Sequence, residues 1–233
     1  MKRSIVLLAS LFGVSLSSIA QVTVTPEIGY NLGKFYGFTY DPTANVQYTE
    51  NYDWMWSPRA GIALDIPLGK KGFSFEPGLY YNVRTSRVTT DIDAYKETTT
   101  TRQNYVELPI NLKYSWEVAR YTGKFMVQLS PYVAYGVSGD VSGKKIQKIP
   151  TYYTTTYSHD LEWGSEMNQL KALDYGAYVG FGYQLQMGLQ IRTIYGLSFA
   201  NFSNIPNTVA SPGSVFNLSV GYVLGRKLPG RFY

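Results

Sequence analysis

Residues 105 to 114 read YVELPINLKY, and the side chains change character at every step. Val106, Leu108, Ile110, Leu112 and Tyr114 lie on one side, Glu107, Pro109, Asn111 and Lys113 on the other. A period of two marks a strand, because successive side chains leave a pleated backbone on opposite faces. Seven further segments repeat the pattern, at 22–32, 56–66, 73–84, 125–137, 173–184, 189–199 and 216–225. In all eight, one face carries no charge: Trp56, Pro58, Ala60, Ile62, Leu64 and Ile66 in one case, Phe125, Val127, Leu129, Pro131, Val133, Tyr135 and Val137 in another. The opposite faces hold Gly, Ser, Asn, Tyr and a few charged residues.

A soluble β-sandwich also alternates, but its polar face is solvated and rich in Lys, Glu and Thr. Small residues interspersed with large polar ones suit a confined interior instead, and an uncharged face this extensive is expected to meet lipid. Each run is about as long as the roughly 9 to 11 residues that a tilted membrane strand needs. In hydrocarbon an open edge would leave backbone N–H and C=O groups without partners, so the sheet must close on itself. The expected fold is therefore all-β: an eight-stranded antiparallel transmembrane β-barrel.

That geometry assigns the residues to two surfaces. Leu108, Ile110, Leu112, Val133, Val179, Ile191 and Val220 are expected to face lipid. Glu27, Asp65, Glu76, Glu107 and Asp174, with Arg59, Arg84, Lys113 and Arg192, are expected in the lumen. An eight-stranded barrel has an interior just wide enough for side chains, so these ions should pair and fill it; an ion path or binding site is the functional alternative. Pro109, with no N–H to donate, predicts a local bulge or a break in the ladder.

The connections fall into two classes. Those after the second, fourth and sixth runs are short, whereas residues 33–55, 85–101, 139–170 and 200–213 form long ones. Short periplasmic turns and long external loops are the rule in outer-membrane barrels. The long connections are rich in Tyr and Thr, as in TYYTTTYSHD. Tyrosine offers broad amphipathic contact, and both residues also favour simple extension of the strands above the membrane. The best helix candidate, Leu161 to Leu173, is short and interrupted by Gly164.

Residues 1–20 are expected to be a signal peptide: Lys2 and Arg3, an apolar run, then small residues ending at Ala20. The barrel is then assigned to 21–225 and a short basic periplasmic tail to 226–233. Such a leader sends the chain across the inner membrane, and the expected location is the outer membrane of a Gram-negative bacterium. No cysteine is present, so neither disulfides nor lipoprotein acylation is available. Without Lys2 and Arg3 the chain has 19 basic and 16 acidic residues, a net charge of +3 that is too mild to point to nucleic acid.

The segments YVELPINLKY, LSPYVAYGVSG, LDYGAYVGFGYQLQ, IRTIYGLSFAN and FNLSVGYVLG resemble the PorT-like outer-membrane β-barrel domain of Bacteroidetes. The resemblance implies the same barrel and membrane and says little about activity, because a fold does not settle a function. One member class of that family is an accessory of a protein secretion system. The tail RKLPGRFY departs from the family pattern of a strand-terminating aromatic residue.

The expected function is a non-enzymatic outer-membrane barrel in contact with lipid and with other envelope or secretion proteins. A secretion accessory and a small diffusion channel are the alternatives. His159, the single histidine, stands in YSHD between Ser158 and Asp160. Consecutive residues cannot converge as nucleophile, base and orienting acid. No cofactor or metal is expected; Asp91 and Asp93 form the one carboxylate pair considered for weak calcium binding.

Overall fold

The computed structural model describes residues 22–41, 46–50, 52–69, 72–119 and 123–225. The expected signal peptide and basic tail lie outside these residues. Ten strands follow in order: β1 (Thr23–Asp41), β2 (Val46–Glu50), β3 (Met55–Pro67), β4 (Phe73–Asp91), β5 (Tyr95–Ala119), β6 (Gly123–Gln147), β7 (Tyr153–Asp160), β8 (Leu173–Leu185), β9 (Leu189–Ser198) and β10 (Thr208–Tyr222). Eight of them, β1, β3, β4, β5, β6, β8, β9 and β10, pair in that cyclic order, and β10 pairs back onto β1. The ring is closed and every strand pairing in it is antiparallel.

Closure runs from Glu27 opposite Gly221 to Lys34 opposite Ser214, and resumes at Tyr36 opposite Ser211 after a bulge. The extra residue is on β10, where Pro212 and Gly213 stand against Phe35 alone, and Phe35 is buried against Ala200 and Phe202. Gly213, within the bulge, has φ 60°. A Cβ there would run into the Lys34 carbonyl oxygen, so glycine is required on both conformational and steric grounds.

β2 and β7 stand outside the ring. β2 pairs with the far end of β1, and β7 with the far end of β6, at Asp140–Gln147. Most of the sequence expected as long loops is thus strand. β4 runs on to Asp91 and β5 begins at Tyr95, so 85–101 is a hairpin projecting beyond the ring. Thr and Tyr fill it because they suit a pleated surface whether or not lipid is nearby. At the opposite end of the barrel the connections are tight: Leu68 N–H donates to the Phe73 carbonyl at 2.8 Å, and Gly188, with φ 100°, closes the β8–β9 turn.

The period-two faces separate cleanly along the ring. Leu108, Ile110, Leu112, Val133, Val179, Ile191 and Val220 stand exposed on the outer wall. Their strand neighbours Glu107, Asn111, Lys113, Ala134, Tyr178, Arg192 and Ser219 are buried inside. Aromatic rings join across the outer wall at the short-turn end: Phe73 to Tyr114 (4.7 Å), Tyr114 to Trp116 (5.9 Å), Trp116 to Phe125 (6.0 Å) and Phe125 to Tyr183 (4.8 Å). Such a girdle suits the membrane interface, where a ring meets both apolar and polar surroundings. Val83 departs from the pattern. It sits on the expected outer face yet is buried, lining a small cavity together with Asn31 and Ser57.

Pro109 breaks the ladder and makes no bulge. Pairing of β5 with β6 stops at Pro109 opposite Tyr132 and resumes at Leu112 opposite Leu129, with the register unchanged. β4–β5 pairing has the same interruption between Pro77–Ile110 and Tyr80–Glu107, and β3–β4 pairing between Ala63–Gly78 and Ile66–Phe75. Pro77, Pro109 and Pro131 lie on three adjacent strands at this level, each removing one donor. The side chain of Pro109 is fully buried in the lumen. The register of β5 with β6 does shift elsewhere, through an extra residue on β6 (Val137) beside Asn104/Tyr105 and one on β5 (Val118) between Glu117 and Ala119.

The outer face of β5 gives a direct test. Ile110→Arg is expected to lower the stability of the folded barrel by roughly 2 to 4 kcal/mol, the cost of arginine near a bilayer midplane. Equilibrium unfolding in lipid measures it, and an unchanged midpoint would reverse the assignment of faces.

Candidate functional site

Nine ionised side chains from six strands meet inside the ring, and they do so in alternating sequence. Asp65 accepts from Lys113 (2.7 Å), and Lys113 also bonds Glu76 (2.5 Å). Glu76 accepts from Arg192 (2.7 Å), and Arg192 lies 3.4 Å from Glu27. Glu27 pairs with Arg59 (3.3 Å), Arg59 with Glu107 (3.1 Å), Glu107 with Arg84 (3.1 Å), and Arg84 with Asp174 (2.5 Å). The result is one unbranched chain, acid to base to acid, that begins and ends on aspartate. Five acids against four bases leave it with a formal charge of −1.

All members except Asp65 are almost fully buried, so each charge has given up water and depends on its neighbours. Neutral side chains supply the remaining partners. Glu107 accepts from Asn82 (2.6 Å) and from the Tyr178 hydroxyl (2.7 Å). Glu76 accepts from Asn111 (2.9 Å), and Gln128 on β6 accepts from Arg192 (3.0 Å). Asn217 on β10 donates to Asn31 on β1 (2.9 Å), which donates to Asn82 on β4 (2.6 Å). Every strand of the ring is thereby tied into the lumen network. The Arg59 guanidinium lies 3.6 Å from the centre of the Tyr80 ring, and Arg84 faces Tyr105 and Tyr132.

Space for these rings comes from glycines on facing strands. A Cβ on Gly61 would lie 2.5 Å from Tyr80, and one on Gly136 would lie 2.6 Å from Trp163. Trp163 belongs to the segment considered as a helix, but that segment forms no helix: it bridges to itself at Leu170 and folds across the lumen mouth. Its indole packs edge-on against Tyr105 at 5.6 Å. Asn204 fixes the segment by donating to the carbonyls of Gly164, Glu166 and Gln169 at 3.0 to 3.1 Å. Phe35, Tyr52, Leu170, Ala200 and Phe202 add an apolar cluster at the same end. Between this cap and the ion chain is a cavity of about 20 Å³, lined by Asn31, Ser57, Val83 and Val215 among others. That is room for about one water molecule.

Beyond the cap, parts of β4, β5, β6 and β7 form a projecting sheet. Thr89 meets Thr98 across β4–β5 (3.3 Å), and the Tyr157 hydroxyl meets Glu97 and Thr99 (3.0 Å each). Asp91 at the tip accepts from Lys148 (2.6 Å) and pairs with Lys96 (3.2 Å), and these bonds hold its carboxyl below the usual carboxylate range. Its carboxylate is thus already engaged by two ammonium groups; no cluster of metal-ligating side chains occurs among the described residues. His159 stacks on Tyr157 (6.2 Å between rings) on the fully exposed strand β7.

The nine lumen ions were recognisable from alternation alone, but their order was not. Asn82 and Tyr178 lie on the same inward-facing alternation, and Tyr178 stands opposite Gly196, whereas Trp163 lies outside any alternating run.

Removing an ion from mid-chain should cost more than removing one at its end. Glu107→Ala strips a partner from both Arg59 and Arg84, and a loss of about 3 to 5 kcal/mol is expected. Asp65→Asn leaves Lys113 its bond to Glu76 and should cost distinctly less. Urea titration of the refolded protein in detergent compares the two, and equal losses would contradict the chain.

This chain has distant likenesses among solved structures. Over 87% of this chain and 99% of the other, it is similar at 10% identity and a TM-score of 0.38 to Ail, the attachment invasion locus protein of Yersinia pestis, solved in complex with the heparin analogue sucrose octasulfate. The outer membrane protease OmpT of Escherichia coli is similar over 86% of this chain and 94% of its own, at 9% identity and a TM-score of 0.23. No curated protein matches. The family described as outer membrane protein beta-barrel domain matches residues 17–204, most of the chain, and the protein belongs to that family.

Proposed function

We propose that this integral outer-membrane barrel is a non-enzymatic contact protein, working through its projecting sheet. The observation that carries the reading is the contrast between its two polar regions. The lumen is filled by an ion chain and capped by Trp163, whereas the sheet of β4–β7 stands free with Tyr and Thr exposed. Short turns belong on the periplasmic side of such barrels, which directs the sheet outward from the cell. A small diffusion channel needs a continuous wet path, and the packed interior speaks against one. His159 stacks on Tyr157, and among the described residues its imidazole makes no hydrogen bond to a nucleophile or an acid, which supports a role outside catalysis.

A finer reading rests on sequence likeness. YVELPINLKY and YGLSFAN support kinship with PorT-like barrels of Bacteroidetes, and a secretion accessory of that kind would have export components as partners.

Val141 and His159 stand opposite each other, so residues 142–158 can be replaced by a short turn without touching the ring. The shortened protein is expected to fold, retaining detergent-resistant compactness, and to lose the envelope partners that co-purify with the full chain. Partners retained in full would remove the sheet from consideration. Planar-bilayer recording of the full chain is expected to show no steady conductance, and stable open-channel currents would favour the channel.

A further inference from the structure

β7 is an edge strand. It pairs with β6 on one side through all eight residues, from Asp140 opposite Asp160 to Gln147 opposite Tyr153. Among the described residues it has no strand on the other side, and every one of its eight residues is exposed. An open edge presents alternate N–H and C=O groups to whatever arrives. Proteins normally blunt such edges with Lys, Pro, a bulge or a covering segment. β7, with the sequence YTTTYSHD, has none of these: it lacks Lys, Arg, Pro and Gly, and its register with β6 runs without a shift. Its composition is that of a good strand.

We infer that the free edge of β7 is a docking site for an extended segment of another protein, which adds to the sheet as a further antiparallel strand. This rests on the contact role proposed above and names the partner's chemistry. Main-chain hydrogen bonds supply the affinity in strand addition, and side chains next to the edge supply the selection. Asp160 is the single acid on β7, with no ion pair among the described residues, so the incoming segment carries a basic residue at that end.

A second copy in the same membrane does not fit. Two copies share the membrane normal, and a two-fold axis along it sets N–H against N–H and C=O against C=O on equivalent edges. A copy in an opposed membrane is free of that restriction and is one outcome of the test.

The probe is a labelled peptide of residues 140–147 carrying Asp140→Lys, KVSGKKIQ, because position 140 is the one that stands opposite Asp160 in antiparallel register. Thr155→Pro and Thr156→Pro each delete one N–H, and because these point to opposite sides of the strand, only one of them lies on the open edge. Saturable binding to the full protein is expected, weakened by about tenfold in the edge-directed variant. Hydrogen exchange should show new protection at alternate β7 amides. No saturable binding, or equal binding by the full protein and both variants, would overturn strand addition. Partners that survive both proline variants but are lost on deleting 142–158 would leave the contact role standing and reject the edge. Clustering of proteoliposomes that only the edge-directed proline abolishes would assign the edge to a copy in an opposed membrane and reject a foreign segment.

Discussion

Hydrocarbon offers no hydrogen bonds, and that fact governs this chain from its strand lengths to its interior. A sheet in lipid has to satisfy each backbone donor and acceptor by itself, so it closes, and here it closes by pairing Glu27–Lys34 with Ser214–Gly221. Eight strands enclose an interior just wide enough for side chains. Whatever polar groups the inner face carries must then satisfy one another. The alternating chain from Asp65 to Asp174 is that requirement met by charges: each base touches two acids, and each interior acid touches two bases.

Such an arrangement is poor evidence of stability by itself, since buried ions lose hydration that their attraction scarcely repays. Its value lies in specificity. A one-residue slip of any of the six ion-bearing strands would turn its ion toward lipid and its apolar neighbour into the lumen. Arg59 and Asp65 on β3, Glu76 and Arg84 on β4, and Glu107 and Lys113 on β5 each anchor a strand at two levels. This matters most where the backbone ladder is weakest. The interruptions at Pro77 and Pro109 fall on β4 and β5, between their two anchoring ions, so side chains fix the register where hydrogen bonds lapse.

Much of this architecture was legible in the residues, because lipid and lumen impose opposite chemistry on alternate positions and leave nothing ambiguous between them. Glu107 beside Leu108, or Arg192 beside Ile191, can be read from the order of letters alone. Above the membrane that contrast fades, since both faces meet water. Residues 85–101 and 139–160 therefore looked like loops, although they continue as strand. Trp163 was beyond reach for a different reason: its place is set by a fold-back that Asn204 holds from far along the chain, and no local period records such a contact.

The rigid lumen and the projecting sheet are mechanically one body, because β4, β5 and β6 run unbroken from the membrane into the sheet. β7 has no membrane segment, but it is laid along β6 through its whole length. Its backbone is ordered before any partner arrives. A docking strand then bears only its own ordering cost, while the barrel contributes none. This gives a physical reason for an interior so densely tied together in a protein whose proposed work is done outside it. Ions that lock six of the eight strands in register also hold one exposed edge straight.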